Sequence, residues 1–228
     1  MKQLWFDVIS KKSVEKKGIE VNNLYVIGHA GRDVAKTEAH IVELEALGVP
    51  RPESIPDIYY CSPETLTQGG EIQVVGKETS GEVEFIFVRR QGIVYVGIGS
   101  DHTDRSMEGY SLLRSKQVCA KPLGTQLWLY EDVKDHWDSL EMISWQVIDG
   151  KETLYQKGSA ADLLHLDVLL AAAEKVNPDL GDSLCYSGTV TLVDGFKYGT
   201  HFKGVIKDNK LGRSLELNYD IKALKGNG

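Results

Sequence analysis

The stretch SGEVEFIFVRRQGIVYVGIGSD, residues 80–101, reads as two strands folded on a turn. Residues 83–88 and 93–98 are rich in β-branched and aromatic side chains, and RRQG between them reads as a hairpin turn. Along a strand, residues two apart share a face. Val83, Phe85 and Phe87 therefore form one face, which is plainly core. Glu82, Glu84, Ile86 and Val88 form the other, apolar at one end and doubly acidic at the other. A turn centred between Arg90 and Gln91 sets Glu84 opposite Gly97, Glu82 opposite Gly99 and Ser80 opposite Asp101. Glu82, Glu84 and Asp101 then share one face, within a cross-strand or diagonal reach of roughly 5–8 Å. A slip of one residue turns Asp101 to the other face and brings Asp104 forward as its replacement. Gly97 and Gly99 leave the acidic face open, and a strand glycine often marks close approach of a ligand.

Three neighbouring carboxylates repel one another, so either their pKa values rise or a cation sits among them. Oxygen donors without cysteine suit a hard cation such as Mg²⁺ or Mn²⁺. A bare Glu-x-Glu at a strand end can equally be a pair of solvated acids. The residues alone leave both readings open.

Outward from the hairpin, strands dominate. Residues 4–9 and 19–27 read as strands, followed by a helix over about 33–47 that Asp33 can cap and Gly48 can end. Pro50, Pro52 and Pro56 force a loop. A helix over 106–116 is expected, then strands at 143–148 and 153–156 around the turn DGK. A helix from Ser159 to Lys175 precedes strands near 183–187, 190–193, 201–206 and 214–223. The fold class is α+β, β-rich, a single domain over 1–228, with 1–21 as a possible N-terminal appendage.

The formal net charge of −7 and pI near 5.4 disfavour nucleic acid or an anionic membrane as partner. They leave room for an anionic small molecule, because a bound metal reverses the local field. Cys61, Cys119 and Cys185 form no CxxC pair and are odd in number, so neither a zinc ribbon nor a disulfide framework is expected. The N-terminus MKQLWFDVIS lacks the apolar core of a signal peptide, and no apolar run approaches a membrane span. A soluble cytoplasmic protein is expected.

The order of short motifs resembles the fumarylacetoacetate hydrolase superfamily. The blocks are HAGRD at 29–33, GEVEFIFV at 81–88 and SDHTDRSMEGY at 100–110. They continue with SKQVCAKPLG at 115–124, DGKETLYQKGSAADLL at 149–164 and GDSLCYSGTV at 181–190. LGRSLELNYDI at 211–221 looks like the family's closing strand. The resemblance implies a mixed β-sandwich roll, a homodimer, and Mg²⁺ or Mn²⁺ held by Glu82, Glu84 and Asp101. It implies catalytic roles for His29 and Lys116, with Asp33 the nearest acid to pair with His29. It implies substrate binding by Arg105, Ser187, Gly188 and Thr189. The expected activity is a metal-dependent hydrolase or lyase of a small 2-oxo acid, cleaving a C–C bond of acylpyruvate type. In it the metal would chelate the acid and stabilise an enolate. Alternatives are a sugar-acid dehydratase or oxaloacetate decarboxylase, and, of another class, a non-catalytic binder of metal or metabolite.

The chain departs from that pattern at position 32, where the family places a glutamate three residues after the histidine and this chain has Arg32. SGTV stands where the family has TGTP. Lys121 competes with Lys116 for the lysine role, His102 adjoins the proposed ligand, and Glu108 lies close by family position.

Overall fold

The central hairpin turns on Gln91 and Gly92, whose φ angles of 51° and 76° are those of a two-residue type I′ turn. Its strands, Val83–Arg90 and Ile93–Ser100, pair Glu84 with Gly99 and Ile86 with Gly97. The register therefore lies two residues from the expected one. A shift of two preserves every face, so the acids remain together, and the Asp101 amide now donates to the Glu82 carbonyl at 3.1 Å. The choice is physical: Gly adopts positive φ freely, and centring the turn on Gln91–Gly92 uses it.

The protein is described from a computed structural model, over residues 1–46, 51–52, 54–178 and 180–224. Its strands are β1 Lys2–Ile9, β2 Val14–Val21, β3 Asn23–Gly28, β4 Asp57–Cys61, β5 Leu66–Thr67 and β6 Glu71–Val75. There follow β7 Thr79–Ser80, β8 and β9 (the central hairpin), β10 Thr103–Asp104 and β11 Lys121–Leu129. The chain continues with β12 Glu141–Ile148, β13 Lys151–Ser159, β14 Ser183–Thr189, β15 His201–Asp208 and β16 Arg213–Leu224. The helices are α1 Val34–Ala46, α2 Arg105–Glu108, α3 Leu112–Gln117, α4 Tyr130–Val133 and α5 Leu166–Val176.

A mixed sheet in the order β2-β1-β11-β9-β8-β14-β3-β4, with β5 beside β11, forms the larger layer. The smaller has the order β13-β12-β15-β16-β6. Val83, Phe85 and Phe87 face the smaller sheet and pack into one core with Phe202, Ile206 and Tyr219. Ile86 and Val88 point the other way, into a second core with Leu4, Phe6, Ile19, Leu24 and Tyr186. That second core draws on one face of strands along the whole larger sheet, so the sheet curls around its own apolar cluster. This is the expected β-rich α+β roll.

Strand β8 is consequently buried on both faces rather than half-buried. The glycines opposite the acids admit protein, not ligand. A Cβ on Gly99 would lie 2.5 Å from Tyr186 Cε1 and 2.6 Å from Ile86 Cγ2. Gly99→Ala is thus expected to cost about 1–3 kcal/mol through overpacking. Urea denaturation measures it, and an unchanged midpoint would restore the open-face reading.

Residues 1–21 form the edge hairpin of the larger sheet, β1 running parallel to β11, and are no appendage. The single strand expected over 19–27 is two, broken at Asn22. The helix expected from Ser159 starts at Leu166, because a capping box between Ser159 and Asp162 closes a separate turn first. The helix expected over 106–116 is α2 and α3, the second capped by Ser111. Residues 190–193 contribute one bridge, Gln156 to Leu192, in place of a strand. Strand β4 was not expected. Leu47 and the Gly48 cap lie outside the described residues. Among those residues no helix is long and apolar enough to cross a membrane.

Candidate metal centre

Glu82 and Glu84 enter the site from the start of β8, and Asp101 follows the end of β9. One carboxylate oxygen from each lies within 4.8 Å of the others. Glu84 is 2% exposed and Asp101 0%. Burial, then the charges of Asp101 and Glu82, push the Glu84 carboxyl well above its ordinary value. Burial works on Asp101 in the same sense, but Lys116 and Lys121 prevail and hold its carboxyl well below the usual range. Lys116 Nζ is hydrogen-bonded to Asp101 Oδ2, and Lys121 Nζ lies 3.1 Å from Oδ1.

Arg105 completes the cluster. Its Nη2 lies 3.0 Å from Glu82 Oε1 and its Nη1 donates to Glu108 Oε1 at 2.7 Å. Its Nε donates to Ser80 Oγ at 2.7 Å. His102 is neutral: burial, then Lys121 and Arg105, push it down to about 3. Glu82, Glu84, Asp101 and Glu108 thus face Lys116, Lys121 and Arg105, one positive charge short of balance. The donor set is oxygen only, closely spaced and electron-rich, and it fits a hard dication.

The structure redirects several expected roles. Arg105 spends its donors on Glu82, Glu108 and Ser80, so it orients a carboxylate instead of standing free for substrate. Ser187 Oγ accepts from the Phe85 amide at 3.1 Å and donates to the Gly188 carbonyl at 2.8 Å. Thr189 Oγ1 donates to the Val83 carbonyl at 2.7 Å. Gly188 donates its amide to Glu84 Oε2 at 2.9 Å. The loop expected to grip substrate instead grips the acidic strand. Asp104 caps α2 through the Met107 amide, so it does not replace Asp101. His102 spends both ring nitrogens, on Tyr219 Oη at 3.0 Å and Thr79 Oγ1 at 2.9 Å.

Sequence reasoning missed Gln156, which is fully buried. Its Oε1 accepts from the Val83 amide at 2.9 Å and its Nε2 donates to Thr189 Oγ1 at 2.7 Å, joining strand to loop. The signal was present, as the glutamine of the DGKETLYQ block. Tyr59 was also missed, its ring centroid 5.7 Å from Lys116 Nζ. It sits on a strand that no motif announced.

His29 follows β3 with φ 52°, a left-handed backbone that non-glycine residues adopt at a cost. Its neighbour Ala30 packs on the Gly188 loop, for a Cβ built on Gly188 would lie 2.8 Å from Ala30 Cβ. Arg32 donates to both Asp138 oxygens at 2.7 Å and to the Leu163 carbonyl at 2.8 Å. The Arg32 amide donates to Asp162 O, and Leu164 to Ala30 O, so backbone bonds pin the loop as well. Asp33 Oδ1 accepts from the amides of Ala35 and Lys36 at 3.1 and 3.2 Å, so it serves as a half-exposed helix cap.

Arg32→Glu would turn a bidentate pair into two facing carboxylates. It is expected to cost about 1–2 kcal/mol after allowing for solvent at this half-exposed pair. Thermal denaturation measures this, and a variant as stable as its parent would sink the anchoring role.

Two clefts lie away from the acids. One of about 510 Å³ runs past Glu64, Glu71 and Cys119, another of about 300 Å³ past His136, Trp137 and His165. Neither is lined by the three acids.

A family model described as "Protein of unknown function (DUF2848)" matches residues 27–219. The chain belongs to that family. No curated protein matches it. Among solved structures it is similar to 2-keto-3-deoxy-D-arabinonate dehydratase complexed with magnesium and 2,5-dioxopentanoate. That likeness has TM-score 0.66 at 17% identity, over 93% of this chain and 77% of that one. It is similar to a yeast fumarylacetoacetate hydrolase family protein, with TM-score 0.62 at 15% identity over 90% and 95% of the two chains. For fumarylacetoacetate hydrolase from Exiguobacterium antarcticum the TM-score is 0.56 at 14% identity, over 93% and 82%. The fold of this DUF2848 member is thus the one the motif order implied, reached at low identity.

Proposed function

We propose that the protein is a divalent-metal-dependent enzyme acting on a small 2-oxo acid, with Mg²⁺ or Mn²⁺ held by Glu82, Glu84 and Asp101. The convergence of the three carboxylates within 4.8 Å carries the reading. The magnesium complex of the dehydratase neighbour supports it. When bound, the metal would polarise the carboxylate and keto oxygens of the acid. The chain's part is to hold the carboxylates rigid, through Arg105 on Glu82 and the Gly188 amide on Glu84, and to offer the Lys116 ammonium to an anion. Burial under two cores keeps water away from these charges.

The acylpyruvate hydrolase, a sugar-acid dehydratase and an oxaloacetate decarboxylase would all use this site, and turnover decides among them. A homodimer remains part of the proposal, and light scattering measures it.

Mn²⁺ at 100 times its dissociation constant is expected to raise the melting temperature of EDTA-treated protein by roughly 5–10 °C. A melting curve that millimolar Mn²⁺ and Mg²⁺ leave unmoved would remove the metal. With metal, turnover is expected on an acylpyruvate, oxaloacetate or a 2-keto-3-deoxy sugar acid. Metal binding without turnover of any of these would favour the non-catalytic binder.

A further inference from the structure

Asp101 is bonded to two ammonium groups that are held in different ways. Lys121 is 0% exposed. Its Nζ donates to the His102 carbonyl at 2.5 Å, to the Lys116 carbonyl and, at 3.5 Å, to the Cys119 carbonyl, besides facing Asp101 Oδ1 at 3.1 Å. Three main-chain carbonyls and a carboxylate form a cage of the kind that holds a monovalent cation, and this one is filled by the chain itself. Lys121 cannot leave without stranding those carbonyls.

Lys116 has no such cage. Its Nζ is hydrogen-bonded to Asp101 Oδ2, and its side chain is 10% exposed. The nearest alternative resting place is the Tyr59 ring, 5.7 Å from Nζ to the centroid. Glu82 and Glu84 add to the field that favours its charge. Lys116 therefore stands among the same carboxylates that would hold a dication.

We infer that Lys116 is a displaceable internal counter-ion: it fills the cation's place among the acids until the metal arrives, and metal binding releases it toward Tyr59 and the substrate. Lys121 is the fixed counter-ion that keeps Asp101 oriented throughout. This rests on the metal-site reading above and adds an order of events to it. The metal and the Lys116 ammonium exclude one another at Asp101 Oδ2, since like charges at contact distance in a buried site repel strongly. The released ammonium is then free to pair with the substrate's anionic group. Coupling of this kind is reciprocal: a substrate anion that captures Lys116 tightens the metal, and the metal tightens the anion.

Two measurements test it. Isothermal titration of EDTA-treated protein with Mn²⁺ is expected to show at least 10-fold tighter binding for Lys116→Met than for the parent, because the competing charge is gone. In the parent protein, reductive methylation read by mass spectrometry is expected to label Lys116 several-fold faster with saturating Mg²⁺ than without. Lys121 stays unlabelled in both states. The second measurement needs no variant, so it stands if Lys116→Met fails to fold. Mn²⁺ binding that is equal or weaker in Lys116→Met, with Lys116 labelling indifferent to Mg²⁺, overturns the inference and leaves the metal site intact. Absence of Mn²⁺ binding in the parent overturns the metal site and this inference together.

Discussion

Asp101→Ala is expected to lower the free energy of unfolding by about 3–5 kcal/mol, among the largest losses for any single substitution in this chain. The reason is the state of its partners. Lys121 is fully buried and Lys116 8% exposed, and both depend on this one carboxylate. Removing it strands two ammonium groups, and the loss of an anion partner from a buried pair costs far more than the pair itself contributes. The carbonyl cage softens the blow for Lys121 but supplies no negative charge. Asp101→Asn keeps the shape and a carbonyl oxygen, so it is expected to cost less than the alanine. Urea denaturation of the metal-free protein gives both values. A loss below about 1 kcal/mol for the alanine would mean that both lysines reach water, and that the site is open instead of buried.

That prediction rests on burial, which the sequence showed least well. The alternation in residues 83–88 gave the strand and assigned both faces, because period two survives any even change of register. The same alternation placed Glu82 and Glu84 on one side. Turn chemistry around Gly92 decided the register: the expected centre fell one residue short, which shifts the pairing by two. The acids nevertheless came together, since the error preserved parity. Strands without a period escaped notice. Strand β4 follows a proline-rich stretch, and it owes its place to pairing with β3, a contact between distant residues.

The roles of Ser187, Thr189 and Gln156 were hidden for a related reason. Their polar atoms are spent on backbone groups of β8, and such bonds exist only once the sheet has formed. Lys121 was visible only as a rival to Lys116. Its distinct setting comes from the turn over 116–121, which gathers two carbonyls around one ammonium and sets it against a third, that of His102. Motif order carried the architecture over about residues 22–221, but it could not show that Asp33 caps its own helix.

Glu84→Gln is expected to act in opposite directions on stability and on metal. Glu84 is 2% exposed and its carboxyl is pushed well above the ordinary 4.5, first by burial and then by Asp101 and Glu82. At neutral pH the fold therefore bears a cost, that of the buried charge or of the proton that replaces it. A glutamine keeps the size and can still accept the Gly188 amide through its carbonyl oxygen. The metal-free variant should then melt at or above its parent at pH 7.5, while its affinity for Mn²⁺ falls on the order of 100-fold or more.

The pH dependence separates this from a packing effect. A carboxyl whose native value is raised takes up its proton in the folded state first, so acidification toward 4.5 stabilises the parent through Glu84. That gain disappears as pH rises through the raised native value. His102, held neutral in the fold, opposes it below about 6.5, where the unfolded chain takes up a proton that the native state refuses. Both proteins share His102 and Glu108, so the difference between their melting temperatures isolates Glu84. The difference is expected to be largest at neutral pH and to shrink as pH falls toward 5. A difference that is flat with pH would mean that Glu84 titrates alike in the folded and unfolded chains, and that its carboxyl is not raised by burial.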